Sequence, residues 1–402
     1  MCIYENNREA IKITDKTLFL LGNGCSMEYG FPSGGKLLLE CFNLIQEYRY
    51  SEKYRYFSYN LYQKLEYFLS IFSDIREKVL SGSLDGVHIP YYSTILHSAY
   101  DPDLCMNRKQ CLNCSDSRVG EIGFDISTSK HICCREIKEI LAGLPAWDIF
   151  SELCDKYYDK KTYGQGNLEW KKNNITAVYD ALAKLLTDTL FFYQEEKHQT
   201  CDAFYQFIRG LKGFSGTIID LNYDLLLDQS VTEKTFNIVK PHGSFDLFYY
   251  EGEPNQYWDV AIVQKNIYRL KTKKAIREFG YGRYSAFAKP LNIAYANINT
   301  HLFTSETYQA RFVNEYTMPV IENLKQDIKR CDKVVSIGYS FPKTDSHIAN
   351  LFDSKKIYVI GKNIDDTERI ANSVKDYYQH KEILPTSFEG FGNYARQIEY
   401  QK

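Results

Sequence analysis

The stretch Leu18-Phe19-Leu20-Leu21-Gly22-Asn23-Gly24-Cys25-Ser26-Met27-Glu28-Tyr29-Gly30-Phe31-Pro32-Ser33-Gly34-Gly35 decides the reading of the chain. It opens as an apolar strand, turns tightly at glycines and enters the start of a helix. Glycine lets backbone N–H groups approach a phosphate that a Cβ would exclude. The helix that follows would aim its positive end at the same place. The spacing is Gly22-x-Gly24 with a later glycine at Gly30, not the G-x-G-x-x-G fingerprint. Two readings therefore stay open at this point: a nucleotide or dinucleotide phosphate site, and a plain strand-to-helix turn.

Downstream the same pattern returns. After Gly213, short apolar runs alternate with helical ones: Gly216–Leu221, Phe236–Lys240, Lys333–Ile337 and Lys356–Ile360 read as strands. Amphipathic spacing predicts helices over 312–331 and 365–378, and Trp258–Val263 is strand-like. Lys356–Ile360 is the last clear strand, with a helix and a tail behind it. Strands that alternate with helices predict a Rossmann-like, doubly wound α/β sheet, whose ligands sit at the carboxyl ends of the strands. Those ends are Gly22–Ser26, Asn222–Asp224, His242–Ser244, Gly338–Ser340 and Gly361–Asn363, and all carry small or polar residues.

Residues 51–212 interrupt this pattern with aromatic and aliphatic residues at three- and four-residue intervals, over 54–79, 137–158 and 175–195. We read the block as a large, mostly helical insertion subdomain inside a discontinuous domain of residues 1–50 and 213–402. Within it, residues 82–130 are turn-rich. Cys111 and Cys114 form a C-x-x-C half-site, and His131, Cys133 and Cys134 could supply the other half of a structural zinc site. The second half lacks the usual gap between ligands, so free cysteines in an irregular loop are the competing reading.

Among 402 residues, 49 Lys and Arg balance 51 Asp and Glu, which gives no case for nucleic-acid binding by overall charge. No apolar run reaches the ~18–20 residues that a membrane span needs. Met1–Glu9 is polar and lacks a signal-peptide core, so a cytoplasmic location is expected. In a reducing compartment the 11 cysteines are thiols or metal ligands rather than a disulfide frame.

Taken together, Gly22-Asn23-Gly24-Cys25-Ser26 with Gly30-Phe31-Pro32-Ser33-Gly34, then Asn222-Tyr223-Asp224, His242-Gly243-Ser244, and Gly338-Tyr339-Ser340-Phe341 with Asp345, resemble the sirtuin-like superfamily. More narrowly, they are similar to its bacterial defence-associated branch, whose members bind NAD and typically hydrolyse it. The likeness spans residues 17–45 and 213–365 and leaves the helical block aside. Several positions depart from the deacylase pattern. Gly30-Phe31-Pro32-Ser33-Gly34-Gly35 lacks the Phe-Arg pair, and no cysteine lies between His242 and Cys331, where the deacylase zinc module would sit. Asp220-Leu221 stands where Thr or Ser is usual, Pro241 replaces a common Leu, and Gly361 stands where an Asn often meets the adenosine ribose.

The resemblance implies an NAD glycohydrolase that releases nicotinamide and ADP-ribose, with NAD as substrate. It also implies an antiphage abortive-infection role, gated by homo-oligomerisation or by a separate activator such as a hexameric translocase-type ATPase or a phage component. Cleaving the nicotinamide–ribose bond needs fixed phosphates, an oriented ribose and a polar group to steer water. Gly22, Asn23, Gly24, Cys25, Ser26 and Pro32, with Gly338, Ser340 and Asn363, are expected around the dinucleotide. Gly22, Gly24 and Ser26 would supply N–H and hydroxyl donors to the pyrophosphate. Asn222 would orient ribose or water, or else serves as a turn residue. Asp224 would meet a ribose hydroxyl, the nicotinamide amide or developing positive charge, or else caps the helix behind it. A histidine ordinarily has a pKa of about 6.5, so His242 is the expected base for water or a ribose hydroxyl. Cys25 is a small loop residue rather than a nucleophile, and Asp345 caps a helix or ties its loop. The competing functions are a catalytically silent NAD- or ADP-ribose-binding regulatory module, and an NAD-dependent deacylase or ADP-ribosyltransferase.

Overall fold

In the computed structural model, the described residues are 11–80, 181–197, 202–250, 258–275, 316–342, 345–378 and 382–400, apart from short gaps inside these ranges, together with a few short pieces elsewhere. Cys111, Cys114, Cys133 and Cys134 lie outside them, and of His131 only the strand backbone is described.

Six strands form one sheet: β1 (Thr17–Leu21), β2 (Thr217–Asp220), β3 (Asn237–Val239), β4 (Lys333–Ile337), β5 (Lys356–Ile360) and β6 (Ile383–Pro385). Their spatial order is β6-β5-β4-β1-β2-β3, and every pairing is parallel. This is the 3-2-1-4-5-6 order of a doubly wound sheet, with the change of direction between β1 and β4. The expected fold class is therefore present. One correction concerns the tail, where Ile383–Pro385 adds a sixth strand beyond Lys356–Ile360.

The helices are α1 (Asn23–Met27), α2 (Leu37–Tyr48), α3 (Arg55–Leu80), α4 (Ala203–Gly210), α5 (Leu226–Ser230), α6 (Met318–Arg330), α7 (Ser346–Ala349), α8 (Ile364–Tyr378) and α9 (Phe391–Ala395). Among the described residues no helix is long and apolar enough to cross a membrane.

β1 is buried along its whole length, so both of its faces must be apolar. Successive side chains alternate between the two sides of the sheet. Phe19, Leu21, Ile218, Val335 and Ile337 join one apolar cluster with Leu38 and Leu44 of α2, Phe204 and Phe207 of α4, and Phe391 of α9. Leu18, Leu20, Ile219, Val334 and Val359 join a second, with Leu324 and Ile328 of α6 and Ile370 and Val374 of α8. Phe19 sits edge-on to Phe207 at 5.1 Å and to Phe214 at 5.6 Å. Burying such a ring contributes about 1.5–3 kcal/mol.

The described part of residues 51–212 has no core separate from this. Phe57, Leu61 and Leu65 of α3, with Leu182, Leu185 and Phe192, belong to the same cluster as Phe19, and Phe57 stacks on Phe192 at 4.4 Å.

After β3 the chain builds a small antiparallel sheet from Leu247–Tyr249, Val260–Gln264, Ile267–Leu270 and Lys289–Pro290. It anchors the far end of the His242 loop. The Leu270 N–H donates to Asp246 O at 2.9 Å, and Arg269 Nε lies 3.4 Å from Asp246 Oδ2.

Candidate active site

The carboxyl ends of β1 and β4 meet backbone to backbone. The Gly22 N–H donates to Ile337 O at 2.9 Å and the Gly24 N–H to Gly338 O at 2.8 Å. A Cβ on Gly22 would stand 2.5 Å from Tyr339 Cα, and one on Gly24 would stand 2.6 Å from Gly338 Cα. Gly338 has φ +61°, and its own Cβ would lie 2.7 Å from Cys25 N. These glycines are required by the contact between the two strand ends. The expectation that Gly22 and Gly24 present N–H donors to a pyrophosphate is corrected accordingly, since both groups are engaged inside the fold. The Cys25 N–H is engaged as well, to Gly22 O at 3.0 Å.

The side chains of the turn divide between core and site. Cys25 is fully buried in the Phe19 cluster and its Sγ donates to Ile337 O at 3.4 Å. Burial, with Asp220 and other carboxylates nearby, pushes its thiol well above the ordinary range. It is a core residue rather than a ligand-contacting one. Asn23 Nδ2 donates to Pro32 O at 3.2 Å and so folds the turn back on the Gly30-Phe31-Pro32 segment. Ser26 Oγ donates to Asp224 Oδ2 at 2.6 Å. A hydroxyl has one proton, so Ser26 held this way accepts rather than donates, against the expected phosphate contact.

Asp224 has both oxygens occupied, because Oδ1 accepts the Leu226 N–H at 3.1 Å. It is 3 % exposed. Its direct contact with ribose or nicotinamide gives way to two local tasks, capping the start of α5 and fixing Ser26. Burial raises its carboxyl, against the pull of Lys240 and Ser26.

Asn222 and His242 stand at the ends of neighbouring strands, β2 and β3. Asn222 is 4 % exposed, its backbone N–H donates to Asp220 Oδ1 at 3.0 Å, and its Nδ2 has no hydrogen-bond partner among the described residues. A buried amide N–H without an acceptor is costly in a finished core, and at a strand end it marks a place for a polar ligand atom. His242 is buried, with its ring stacked over Tyr223 at 6.2 Å. Gly243, at φ +74°, turns the chain sharply behind it, and the Phe245 N–H donates to Tyr223 O at 3.0 Å, tying the two loops together. Ser244 Oγ donates to Asp246 Oδ1.

Asp345 was expected to cap a helix or tie its loop. Its Oδ1 lies 3.9 Å from His242 Nε2, and its Oδ2 accepts the Tyr339 hydroxyl at 3.0 Å. The connection from β4 to Asp345 passes through Phe341, a buried side chain at φ +51°. A positive φ at a bulky residue stores strain, of order 1–3 kcal/mol, that the surrounding packing must hold.

Beneath Asn222 and His242 lies Lys240, 4 % exposed. Its Nζ donates to Asp220 Oδ2 at 2.7 Å, Asp224 O at 2.6 Å and Asp228 Oδ2 at 3.0 Å. Burial pushes Asp220 up to about 7, with Lys240 pulling it down and Asp224 pushing it further up. Burial also raises Asp228, but Lys240 outweighs it and leaves this partly exposed carboxyl below its ordinary range.

Two expected ligand positions face solvent. Ser340 is exposed. Asn363, also exposed, caps α8: its Oδ1 accepts the Asp366 N–H at 2.8 Å, and Asp366 Oδ2 accepts the Lys362 N–H at 3.0 Å in return.

No protein-family model matches the chain, and no curated protein does. Among solved structures, one described as "Structural Basis for the Mechanism and Regulation of Sir2 Enzymes" is similar over 59% of this chain and 83% of its own length, at 13% identity and a TM-score of 0.33. The α/β class rests on the strand order and the two-sided core, not on that likeness.

Reasoning from sequence missed Lys240 and the approach of Asp345 to His242. A signal for Lys240 was present: a lysine closing the apolar run Phe236-Asn237-Ile238-Val239, with Asp220, Asp224 and Asp228 spaced by four upstream. A buried cation needs acceptors, and those three aspartates supply two carboxylates and a carbonyl.

Proposed function

We propose that this chain has a sirtuin-like catalytic half that binds NAD at the carboxyl end of the sheet and hydrolyses its nicotinamide–ribose bond. The observation that carries this reading is the pairing of Asn222, whose buried Nδ2 lacks a partner among the described residues, with His242 on the adjacent strand end. An amide donor and an imidazole at the ends of two paired strands suit a reaction in which a hydroxyl or a water must be held and deprotonated. Asp345 Oδ1 lies 3.9 Å from His242 Nε2, within reach to orient the ring. Asn222 would orient the ribose or the attacking water. The missing Phe-Arg pair after Pro32 supports hydrolysis over lysine deacylation. The same proposal includes NAD depletion in antiphage defence, self-association and a separate activator, all resting on the motif resemblance, and a zinc site at Cys111, Cys114, His131, Cys133 and Cys134 that metal analysis would test.

The test measures nicotinamide and ADP-ribose released from NAD by the full chain, with and without candidate activators. His242→Ala should lower the rate by about 10²–10⁴-fold, the usual span for removing a general base, and Asn222→Ala should also lower it. Equal rates in all three proteins would overturn the assignment. A second reading is a silent NAD- or ADP-ribose-binding module. It predicts tight binding without nicotinamide release under every condition.

A further inference from the structure

We infer that Lys240 is a positioning residue for the proposed hydrolysis, its buried ammonium holding the Asn222 loop and the His242 loop in one geometry. The inference rests on the reading of those two residues as the reacting pair. An ammonium has three protons, and here each has its own acceptor: Asp220 Oδ2 at the end of β2, Asp224 O in the following loop, and Asp228 Oδ2 on α5.

The links continue to both members of the pair. Asp220 uses its other oxygen to accept the Asn222 N–H at 3.0 Å, so one carboxylate joins Lys240 to Asn222. The carbonyl of Lys240 accepts the Gly243 N–H at 2.9 Å and the Tyr316 hydroxyl at 3.2 Å, which shapes the turn that carries His242. Asp224, whose carbonyl the ammonium also holds, fixes Ser26 in the loop after β1. Lys240 thus reaches the end of β2 through its ammonium, the turn after β3 through its own carbonyl, and the loop after β1 through Asp224.

Stability alone does not explain the choice of a lysine. A buried ion pair can often be replaced by apolar groups of similar volume at little cost, whereas removing one partner alone is strongly destabilising. An apolar plug would fill this volume but would not connect Asn222 to the His242 turn.

The experiment compares the full-length wild type with Lys240→Met and with the neutral variant Asp220→Asn/Asp228→Asn/Lys240→Met, which removes the ammonium together with the two carboxylates that accept from it and leaves Asp224 to its Ser26 and Leu226 donors. NAD is the probe, and kcat and KM for nicotinamide release are measured beside thermal stability. Lys240→Met should be destabilised. The neutral variant should melt near the wild type yet keep a kcat about 10²-fold lower, with KM within about threefold, as expected when reacting groups lose alignment but substrate contacts remain. A neutral variant that regains wild-type kcat along with its stability would overturn the inference and leave the hydrolysis reading intact. If the wild type releases no nicotinamide, that reading fails by itself, and amide hydrogen exchange decides the role of Lys240. Protection of residues 222–226 and 243–247 should then fall together in the neutral variant while β1 and β4 are unchanged; unchanged protection in both loops would overturn it.

Discussion

Where β1 meets β4, the strand ends touch backbone to backbone: Gly22, Gly24 and Gly338 interlock so closely that a Cβ on any of them would collide. Where β2 meets β3, the strand ends are joined by charged side chains, with Lys240 set among Asp220, Asp224 and Asp228. The first arrangement is fixed by shape and fails when any atom is added. The second is fixed by charge and fails when any one partner is removed. Both flank the place where a dinucleotide would lie in a sheet of this order, so the proposed site has one wall set by shape and another set by charge.

The largest stability effect should come from adding atoms to the first wall. In Gly338→Val, a Cβ 2.7 Å from Cys25 N combines with a φ of +61°. Unfolding in urea should show a loss of about 3 kcal/mol or more. A loss under about 1 kcal/mol would mean that the seam can open.

The second wall should respond to pH. Asp220 is raised in the fold from 3.8 to about 7, chiefly by burial. Below the unfolded value both states hold the proton. Between the two values the unfolded chain gives it up first, so Asp220 draws stability down as pH rises through about 7, after which its contribution is flat. Asp220→Asn removes this dependence. Its stability relative to the wild type should therefore rise between pH 4 and pH 7, followed by chemical denaturation; a pH-independent difference would contradict the raised carboxyl.

Asp224→Ala would leave the Ser26 hydroxyl and the Leu226 N–H without their acceptor. About 1–3 kcal/mol should be lost. Ser26→Ala at the same site should cost less, because the carboxylate keeps its Leu226 bond. The smallest effect belongs outside both walls. Asn363→Ala removes the cap of α8 and should cost about 1 kcal/mol while leaving NAD affinity unchanged; weaker binding would return Asn363 to the site.

The legible parts of this molecule were those with local causes. β1, β4 and β5 are five-residue apolar runs closed by Gly22, Gly338 and Gly361, and their bounds agree with the sequence reading. β6 was not legible, because Ile383-Leu384-Pro385 contains a proline and acquires strand character only by pairing with β5. The residues of the site divide the same way. Asn222 and His242 stood out as polar residues directly after apolar runs. The inward turn of Cys25 is set by the short helix α1 in which it sits, which places its sulfur against Ile337 O in the core. The role of Lys240 depends on carboxylates 12 to 20 positions upstream, a separation at which spacing alone does not establish contact. Gly361 and Asn363 looked like another ligand-facing strand end, but a side chain that caps its own helix has the same local sequence.

The sheet also ends in a particular way. Its outer strands, β3 and β6, have three residues each, against four or five for the inner ones, and one ends in Pro385, which has no N–H to offer. Short, proline-bearing edges are poor templates for an incoming strand. Edges this short, one of them ending in proline, discourage growth by sheet extension. Any assembly of copies would then fall to helical surfaces, such as the outer side of α3, where Tyr56, Tyr59 and Tyr67 stand in solvent.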